Sequence, residues 1–388
     1  MSQGWTWKPL GEVCKTGSGG TPLSSRKEFY EGGTIPWLVS GEVAQGNVRE
    51  AKNFITAAGL ENSAAKLFPR DTVLVAMYGA TAGQVGILRF EAATNQAVCG
   101  ILPNDKFVPE FLYYSLLAKK DDLVAQATGN AQPNISQIKI KNTAVPVLPL
   151  PEQQRIVALL DEAFAGLATA KANAERNLQN ARAIFESHLQ SVFSQRGEGW
   201  PTKQLGEVCD FQGGSQPPKS EFVYEPRAGY VRFLQIRDYA SDRHLTYIPE
   251  SSKNRLCNAD DIMIGRYGAS VGKILTSRAG AYNVALVKTI PDLRVLDRDF
   301  FFNYLASGAF QGCLADVAAR SAQNGFSKDD IYGFPVPAPP LSEQRMMIEQ
   351  LNPLEVETQH LTHLYERKLA ALEELKKTLL HQAFNGEL

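Results

Sequence analysis

The sequence predicts an α+β protein in which two similar globular domains, related by pseudo-twofold symmetry, are separated by two long helices that pair as an antiparallel coiled coil. Three observations lead to this prediction. A proline-punctuated stretch that runs into a helical pattern occurs twice, at 144–164 and at 335–351. Apolar residues at coiled-coil spacing follow each copy. The sequence outside the helical stretches repeats from the first half of the chain to the second.

The two proline-punctuated stretches each predict an extended segment followed by a helix, because proline disfavours the α region for the residue before it. In the first copy Pro151 suits the first helical turn, and Glu152 follows it. In the second copy Ser342 is expected to be the N-cap, with Glu343 where the helix dipole favours a carboxylate. The other prolines of the two stretches are Pro146, Pro149, Pro335, Pro337, Pro339 and Pro340.

The apolar stripe after each copy alternates by three and four residues, which is the period of a coiled coil. We favour helices that pack on each other; the alternative is two amphipathic helices on separate cores. Pro353 predicts a break or kink, so that the long part of the second helix begins there. The first stripe is Val157, Leu160, Phe164, Leu167, Lys171, Ala174, Leu178, Ala181, Phe185, His188 and Val192, and the second is Leu354, Thr358, Leu361, Tyr365, Lys368, Leu372, Leu375 and Leu379.

The globular parts are an internal duplication whose middles diverge. Because the two halves share a scaffold but differ in their middles, we expect two domains of one fold that recognise different targets. Short apolar runs are typical of strands, and longer runs with an aromatic face are typical of helices, which gives the α+β class. The matching segments are 4–14 with 199–209 (eight of eleven positions identical), 71–85 with 260–274, and 127–136 with 318–327.

Glycines follow the buried strand candidates at 71–79 and 260–268. A phosphate-binding loop is one interpretation of them, but their spacing fits neither a Walker loop nor G-x-G-x-x-G. Tight turns between strands are the interpretation that we favour. The glycines concerned are Gly79, Gly83, Gly86, Gly268 and Gly272.

Composition and charge are those of an ordinary globular protein. The apolar content of 44% is enough for buried cores. The globular stretches are slightly basic and the helical ones slightly acidic, so net charge alone does not predict a polyanion binder. Five scattered cysteines without a C-x-x-C favour a reducing cytoplasm and argue against zinc. No signal peptide or apolar span of ~20 residues is visible, so we expect a cytoplasmic protein without a membrane partner.

The duplication predicts four segments: a globular domain at 1–148, a helical region at 149–198, a second globular domain at 199–339 and a second helical region at 340–388. If the halves are related by a twofold axis, two helices that pack on each other run antiparallel. A stiff rod of this kind between two similar domains would act as a ruler.

The chain resembles the specificity subunits of type I DNA restriction–modification systems. The resemblance covers the whole chain and rests on a tryptophan–LGEV start of each half, on Y-G-[AT]-x-x-G after a strand, on the polar segment around G-x-x-Q-x-N-[IF]-S, and on P-P-L-x-E-Q before a long helix. The second copy departs from the polar motif, because Arg320 replaces its first glycine. The resemblance implies that each half is a target recognition domain for one half of a bipartite double-stranded DNA site. It also implies that the helices set the unread spacer and dock two modification subunits, which motor-nuclease subunits then join.

Base reading in the major groove requires side chains with paired donors and acceptors, such as Arg and Lys for guanine and Asn and Gln for adenine. Such residues occur in the loops after the strand candidates and before the helices. Any one of them could instead be a solvated loop residue or a phosphate contact. The candidates are Ser40, Gln45, Asn47, Arg49, Tyr78, Gln84, Asn130, Gln132 and Asn134 in the first half, and Arg237, Tyr239, Arg243, Arg266, Tyr267, Lys273, Arg320, Gln323 and Asn324 in the second. Gln132, Asn134, Gln323 and Asn324 are the strongest, because both halves carry them in what the repeat places as equivalent positions.

No catalytic constellation is visible, so we expect no enzymatic activity of the chain alone and no cofactor or metal of its own. The adjacent pairs Asp260-Asp261 and Asp329-Asp330 lack the partners of a nuclease site. Two alternatives stay open. One is a pseudo-symmetric protein scaffold that does not read DNA, and the other is a stand-alone enzyme with duplicated sites. A steep salt dependence of binding to random DNA would separate a DNA reader from the scaffold.

Overall fold

Two long helices connect two sets of short strands and helices. The computed structural model describes residues 5–127, 134–194, 200–320, 325–385 and 387. It divides into two units, of which the first contains residues 1–175 and 367–388 and the second contains residues 176–366. Each unit is described by itself below.

The first unit contains three sheets of short strands. A five-stranded sheet has the order β2-β10-β7-β8-β4, a four-stranded sheet has the order β5-β3-β9-β6, and β1 pairs with β11. The pairs β3–β9 and β4–β8 are parallel, and the others are antiparallel. The strands are β1 (Thr6–Pro9), β2 (Thr16–Ser18), β3 (Ile35–Leu38), β4 (Asn47–Val48), β5 (Asn53–Ile55), β6 (Leu67–Phe68), β7 (Val73–Ala76), β8 (Val85–Leu88), β9 (Ala92–Thr94), β10 (Val98–Ile101) and β11 (Ala144–Val147).

Short helices cover the sheets. The short helices are α1 (Leu10–Val13), α2 (Ala57–Glu61), α3 (Pro109–Ala118), α4 (Lys120–Ala125) and α5 (Gln137–Asn142), followed by the long helix α6 (Leu150–Ser194). Helices α1, α3, α4 and α5 pack on the five-stranded sheet, whereas α2 packs beside the four-stranded one. The main core of the unit lies between the five-stranded sheet and the helices that pack on it, with Val75, Ile87 and Phe111 among its fully buried residues.

The second unit repeats this topology. Its sheets have the orders β13-β20-β17-β18 and β15-β14-β19-β16, and β12 pairs with β21. Within the described residues, β4 and α2 are the elements of the first unit without a counterpart. The strands are β12 (Thr202–Gln204), β13 (Cys209–Gly213), β14 (Tyr230–Leu234), β15 (Tyr247–Pro249), β16 (Leu256–Cys257), β17 (Met263–Gly265), β18 (Ile274–Leu275), β19 (Gly280–Tyr282), β20 (Leu286–Pro291) and β21 (Pro335–Pro337). The helices are α7 (Leu205–Val208), α8 (Arg298–Ala306), α9 (Gly308–Arg320), α10 (Lys328–Tyr332) and the long α11 (Leu341–Asn385).

The two long helices run antiparallel in each unit, as the duplication predicts. In the first unit Lys171 Nζ lies 2.5 Å from Glu373 Oε1. In the second, Asn177 donates to the Tyr365 hydroxyl at 3.2 Å, and Arg182 pairs with Glu366 at 2.9 Å. Further along α6, Leu189 and Phe193 share a core with Ile348 and Leu351, which precede Tyr365 and Glu366 in α11, so the two helices run in opposite directions. The buried seam positions Ala174, Ala181 and Thr358 carry small side chains.

Each unit buries the beginning of one long helix and the end of the other in its globular core. The first core contains Ile156 and Leu160 of α6 together with Leu380, Ala383 and Phe384 of α11. The second core contains Leu189 and Phe193 of α6 together with Ile348 and Leu351 of α11.

Two expectations about these helices were wrong. Pro353 does not end or delay α11, which runs unbroken from Leu341. Pro353 is exposed, so the carbonyl group that loses its hydrogen bond lies on the solvent side of the helix, where water can satisfy it. The apolar stripe also leaves its predicted register near the end of α6, because His188 is exposed while Leu189 and Phe193 enter the globular core.

Among the described residues, no helix is both long enough and apolar enough to cross a lipid bilayer.

Candidate nucleic-acid interface

One exposed turn occurs at the same place in both units. β7 and β17 are buried strands, and each is followed by an extended tyrosine and a 3-10 turn. Tyr78 and Tyr267 are 38% and 37% exposed. Gly79 and Gly268 come next with φ of +73° and +59°, a conformation that favours glycine. The glycines of this region therefore fit the tight turns that the sequence analysis favoured.

Each tyrosine turn is joined to the polar segment that follows the short helices. Tyr78 forms an antiparallel bridge with Asn134, and Tyr267 forms one with Gly325. The counterpart of Asn134 is therefore Gly325, and the expected equivalence of Asn134 with Asn324 was wrong by one position. Asn130, Gln132, Gln323 and Asn324 lie outside the described residues, so their predicted role stays a prediction.

In the second unit Arg266 supports this turn. Its Nε donates to the Phe326 carbonyl oxygen at 2.8 Å, and its guanidinium lies 5.0 Å from the centre of the Tyr267 ring. Arg266 thereby holds the tyrosine against the bridged segment. Two other predicted residues, Lys273 and Arg320, are exposed near the ends of the neighbouring elements.

A second candidate loop follows β3 in the first unit. The 3-10 turn Ser40–Gln45 contacts the turn Gly79–Thr81, so the two predicted groups of residues meet. The buried carboxylate of Glu42 secures this loop at both ends. Its Oε2 accepts from the Val39 N–H and its Oε1 from the Lys52 N–H, both at 2.9 Å.

Other predicted residues of the first unit differ in what they can do. Gln45 and Arg49 are exposed, whereas Ser40 and Gln84 are half-buried. The Asn47 side chain accepts from Arg89 Nε at 2.9 Å. The same guanidinium pairs with Asp71 at 2.9 Å and with Glu110 at 2.7 Å, so Asn47 belongs to a structural network. Arg49, Arg70 and Arg89 line an open pocket beside it.

The equivalent loop of the second unit follows β14 and collects basic and aromatic side chains. Asp242 anchors it, because its Oδ1 accepts from Arg232 at 2.6 Å and from Arg278 at 2.9 Å. These hydrogen bonds lower the pKa of the Asp242 carboxyl, and the bond from Arg232 has the larger effect. The open pocket beside this anchor is lined by Tyr224, Arg237, Asp242, Arg243, His244 and Leu245.

Tyr239 differs from the other predicted residues. Its ring packs against a buried cluster that contains Leu234 and Tyr282, and burial raises the pKa of its hydroxyl. This environment is that of a packing residue.

Sequence reasoning missed three residues of these surfaces, namely Arg70, Tyr224 and His244. Tyr224 is 72% exposed, the largest exposed fraction among the described large apolar and aromatic residues. Arg70 and Tyr224 lie before strand candidates and not in the loops after them, so a basic or aromatic residue before a strand was the available signal. His244 is adjacent to the predicted Arg243 in the loop after β14.

Comparisons with known proteins agree with this organisation. A family model described as "Type I restriction modification DNA specificity domain" matches residues 2–176 and 197–373. The chain is 26% identical over 193 residues to the EcoR124I/EcoR124II specificity subunit of Escherichia coli, an alignment that spans 48% of each protein. It is 21% identical to the MjaVIII specificity subunit of Methanocaldococcus jannaschii, over 100% of this chain and 94% of that protein.

Two solved structures share the fold. One, titled as the structural basis of complex assembly and conformational transition of the type I R-M system, has a TM-score of 0.84 at 22% identity and covers 100% of this chain and 99% of its own. The HsdS subunit from Thermoanaerobacter tengcongensis has a TM-score of 0.60 at 23% identity, over 100% and 98% of the two chains. The family match covers most of the chain. The chain therefore belongs to the type I restriction modification DNA specificity domain family and carries two copies of that domain.

Proposed function

We propose that this chain selects the double-stranded DNA sequence on which a type I restriction–modification enzyme acts. Each globular half reads one half of a bipartite site, and the paired helices set the spacer between the half-sites. The helices bind two modification subunits, and motor-nuclease subunits join through that complex. The chain supplies recognition and leaves the chemistry to its partners, as the names of its relatives suggest.

The observation that carries the proposal is the repeated tyrosine turn beside loops that differ between the halves. Tyr78 and Tyr267 occupy the same position on the same scaffold, each bridged to the polar segment. The loops beside them carry different side chains, with Gln45 and Arg49 in one half and Arg237 and Arg243 in the other. A common frame with different donors and acceptors is what reading two different half-sites requires.

The side chains divide into three proposed roles. Gln45, Arg49, Asn134, Arg237 and Arg243 are exposed and are proposed to read bases or hold phosphates, together with Tyr78, Tyr267, Lys273 and Arg320. Asn47 and Arg266 are proposed to position their neighbours through the contacts described above. Tyr239 is proposed to pack the second loop from inside. The predicted boundaries of the recognition domains, 1–148 and 199–339, are retained as part of the proposal.

The test is the methylated motif that this chain confers. The chain is co-expressed with its modification subunits in a host without DNA methylation, and the genome is read by methylation-sensitive long-read sequencing. We expect one bipartite motif with a fixed spacer. Asn134→Ala should make positions of one half-site degenerate, and Arg243→Ala should do so in the other half, because a lost bidentate contact reduces discrimination by about 1–3 kcal/mol.

Arg294→Ala is the matched control, since Arg294 is an exposed arginine that pairs with the neighbouring Asp292 outside the candidate loops. It should leave the motif unchanged. If Asn134→Ala and Arg243→Ala both change the same half-site, the division of reading between the halves is wrong. An intact purified complex that methylates no bipartite motif would favour a protein scaffold instead.

A further inference from the structure

Two buried glutamines occupy the same position at the start of the two long helices. Gln153 is the fourth residue of α6 and Gln344 is the fourth residue of α11, and both have no exposed surface. A polar side chain in the first turn of a helix is ordinarily exposed, so its complete burial in both halves requires an explanation.

Each glutamine makes three hydrogen bonds to backbone groups. The Gln153 Oε1 accepts from the Val108 N–H at 2.9 Å, and its Nε2 donates to the carbonyl oxygens of Lys106 and Leu148, both at 2.8 Å.

Gln344 repeats the pattern in the second unit. Its Oε1 accepts from the Asp297 N–H at 2.7 Å, and its Nε2 donates to the carbonyl oxygens of Val295 at 2.8 Å and Pro339 at 2.7 Å. Three segments of each unit therefore meet at one amide. They are the long helix, the proline segment before it, and the loop that leads into α3 or α8.

The neighbouring side chains do not share this pattern. Glu152 pairs with Arg155 on the surface of α6, whereas Glu343 accepts from the Trp200 indole N–H at 2.9 Å. The glutamate before the glutamine therefore has a different partner in each half, while the three amide contacts stay the same. The repeated geometry is therefore a property of the glutamine and not of its neighbours.

The apolar contacts of the helices cannot supply the same constraint. Ile156 and Leu160 bury the first turns of α6 in the globular core, but hydrophobic burial is not directional. Hydrogen bonds weaken steeply as their angle departs from linearity, so three of them from one planar amide fix the orientation of the helix as well as its position.

We propose that Gln153 and Gln344 are positioning residues that set the direction in which each long helix leaves its own recognition domain, and that the enzyme's discrimination between spacer lengths depends on them. The proposal rests on the proposed function, because spacer discrimination exists only if the chain reads a bipartite site. A helix that can pivot at its origin would let half-sites at neighbouring separations be reached by the same complex.

The test measures methylation rates on DNA duplexes that carry both half-sites with the wild-type spacer or with one base pair more or fewer. Gln153→Met and Gln344→Met remove the three hydrogen bonds while they keep a side chain of similar length. We expect the preference for the wild-type spacer to fall by about 10- to 100-fold, since small misplacements have effects of this size. Binding to a duplex with a single half-site should change little.

Gln154→Ala is the matched control, because Gln154 is adjacent in sequence and exposed. It should retain the full spacer preference. A folded Gln153→Met protein, with only its melting temperature lowered and its spacer preference intact, would show that the glutamine is merely structural and overturn the proposal. If Gln153→Met does not fold, Gln344→Met and the milder Gln153→Asn decide the question by the same criterion.

The wild-type protein separates the two proposals. If it methylates one bipartite motif with a single spacer and the glutamine variants keep that preference, only the positioning role is wrong. If the wild-type complex methylates no bipartite motif, the proposed function has failed and the positioning proposal fails with it.

Discussion

At the scale of single residues, the candidate loops after β3 and β14 are held in place by different acidic side chains. Glu42 closes its loop with both carboxylate oxygens, whereas the equivalent Asp238, one methylene shorter, accepts from the Gln235 N–H at 2.6 Å. The Asp238 Oδ1 has no hydrogen-bond partner within the described part of the chain. The second loop is instead anchored by Asp242 and its two arginines.

Replacing Glu42 should therefore affect the first half-site alone. Glu42→Gln substitutes an amide donor for one acceptor oxygen and places it against a backbone N–H, which should lower the free energy of unfolding by about 1–3 kcal/mol. The methylated motif should become degenerate in one half. Urea unfolding and motif sequencing measure the two effects, and Glu50→Gln, an exposed acid of the same loop, should show neither. Degeneracy in both half-sites would contradict a local role.

Two buried thiols predict how stability depends on pH. Burial raises the pKa of Cys99 and of Cys209 to about 12. In the unfolded chain these thiols ionise near pH 9, so the stability they contribute is fully present below that pH and is lost as the pH rises towards 12. The free energy of unfolding should therefore fall between pH 9 and pH 11.

The measurement is urea unfolding at pH 8, 9.5 and 10.5. In Cys99→Ala/Cys209→Ala the decline with pH should be shallower, whatever the substitutions do to stability at pH 8. The control is Cys313→Ala, because Cys313 is the described cysteine that is only half-buried. If the free energy of unfolding of the double variant declines with pH as steeply as that of the wild type, the loss of stability at alkaline pH comes from the tyrosines and lysines.

At the scale of secondary-structure elements, the seam of the long helices depends on small residues. Ala174 and Ala181 are 1% and 2% exposed, and Thr358 is 5% exposed. The ion pairs that flank them, Lys171–Glu373 and Arg182–Glu366, lie on the surface, where such pairs contribute little. The close packing of these small side chains is therefore the contribution that a mutation should reveal.

Ala174→Leu tests this packing. Ala174 is 1% exposed, so the larger side chain must displace its neighbours in the seam and should lower the free energy of unfolding by about 1–3 kcal/mol. Ala172→Leu makes the same change on the exposed face of α6 and should be nearly neutral. Thermal or urea unfolding of the two variants gives the comparison. Equal stabilities would mean that the helices do not rely on close approach at this position.

Sequence patterns could predict the long helices, their antiparallel pairing and the duplicated α+β halves, because each depends on periodicity or on repeated motifs. They could not predict where the stripe leaves the seam, since Leu189 and Phe193 are buried by a globular core that is distant in sequence. The sequence shows Gln153 and Gln344 as part of a repeated motif but does not indicate that they are buried. Their burial depends on backbone groups 45 to 49 residues away.

Only part of the candidate interface could be predicted, because some of its side chains are engaged by residues that are distant in sequence. Tyr78 and Tyr267 were found because a buried strand followed by glycine marks an exposed turn. Asn47 is a candidate for base reading because its type suits adenine, but its side-chain oxygen accepts a hydrogen bond from Arg89, which follows β8. Residue type alone does not tell a reading residue from one that supports its neighbours.

At the scale of the whole molecule, shortening both helices together should change the spacer that the enzyme accepts. Removing residues 172–178 and 365–371 takes one heptad from facing parts of α6 and α11 and keeps the seam in phase. Seven helical residues span roughly 10.5 Å, which is about three base pairs of DNA. We expect the same two half-sites with a spacer about three base pairs shorter, read by motif sequencing.

Removing the heptad from α6 alone puts the helices out of register and serves as the comparison, for which we expect loss of assembly. A paired deletion that folds, assembles and keeps the original spacer would rule out the helices as the element that sets it.

The division of the first core between distant parts of the chain has a consequence for protein synthesis. Leu380, Ala383 and Phe384 complete a core whose other residues come from the first 160 positions, whereas the second unit is one continuous stretch. On the ribosome, the domain that is translated first therefore waits for the segment that is translated last, and the later domain has all of its residues before the earlier one does. A chain released before residue 380 would lack these three residues and would leave the apolar core of its first domain open to solvent.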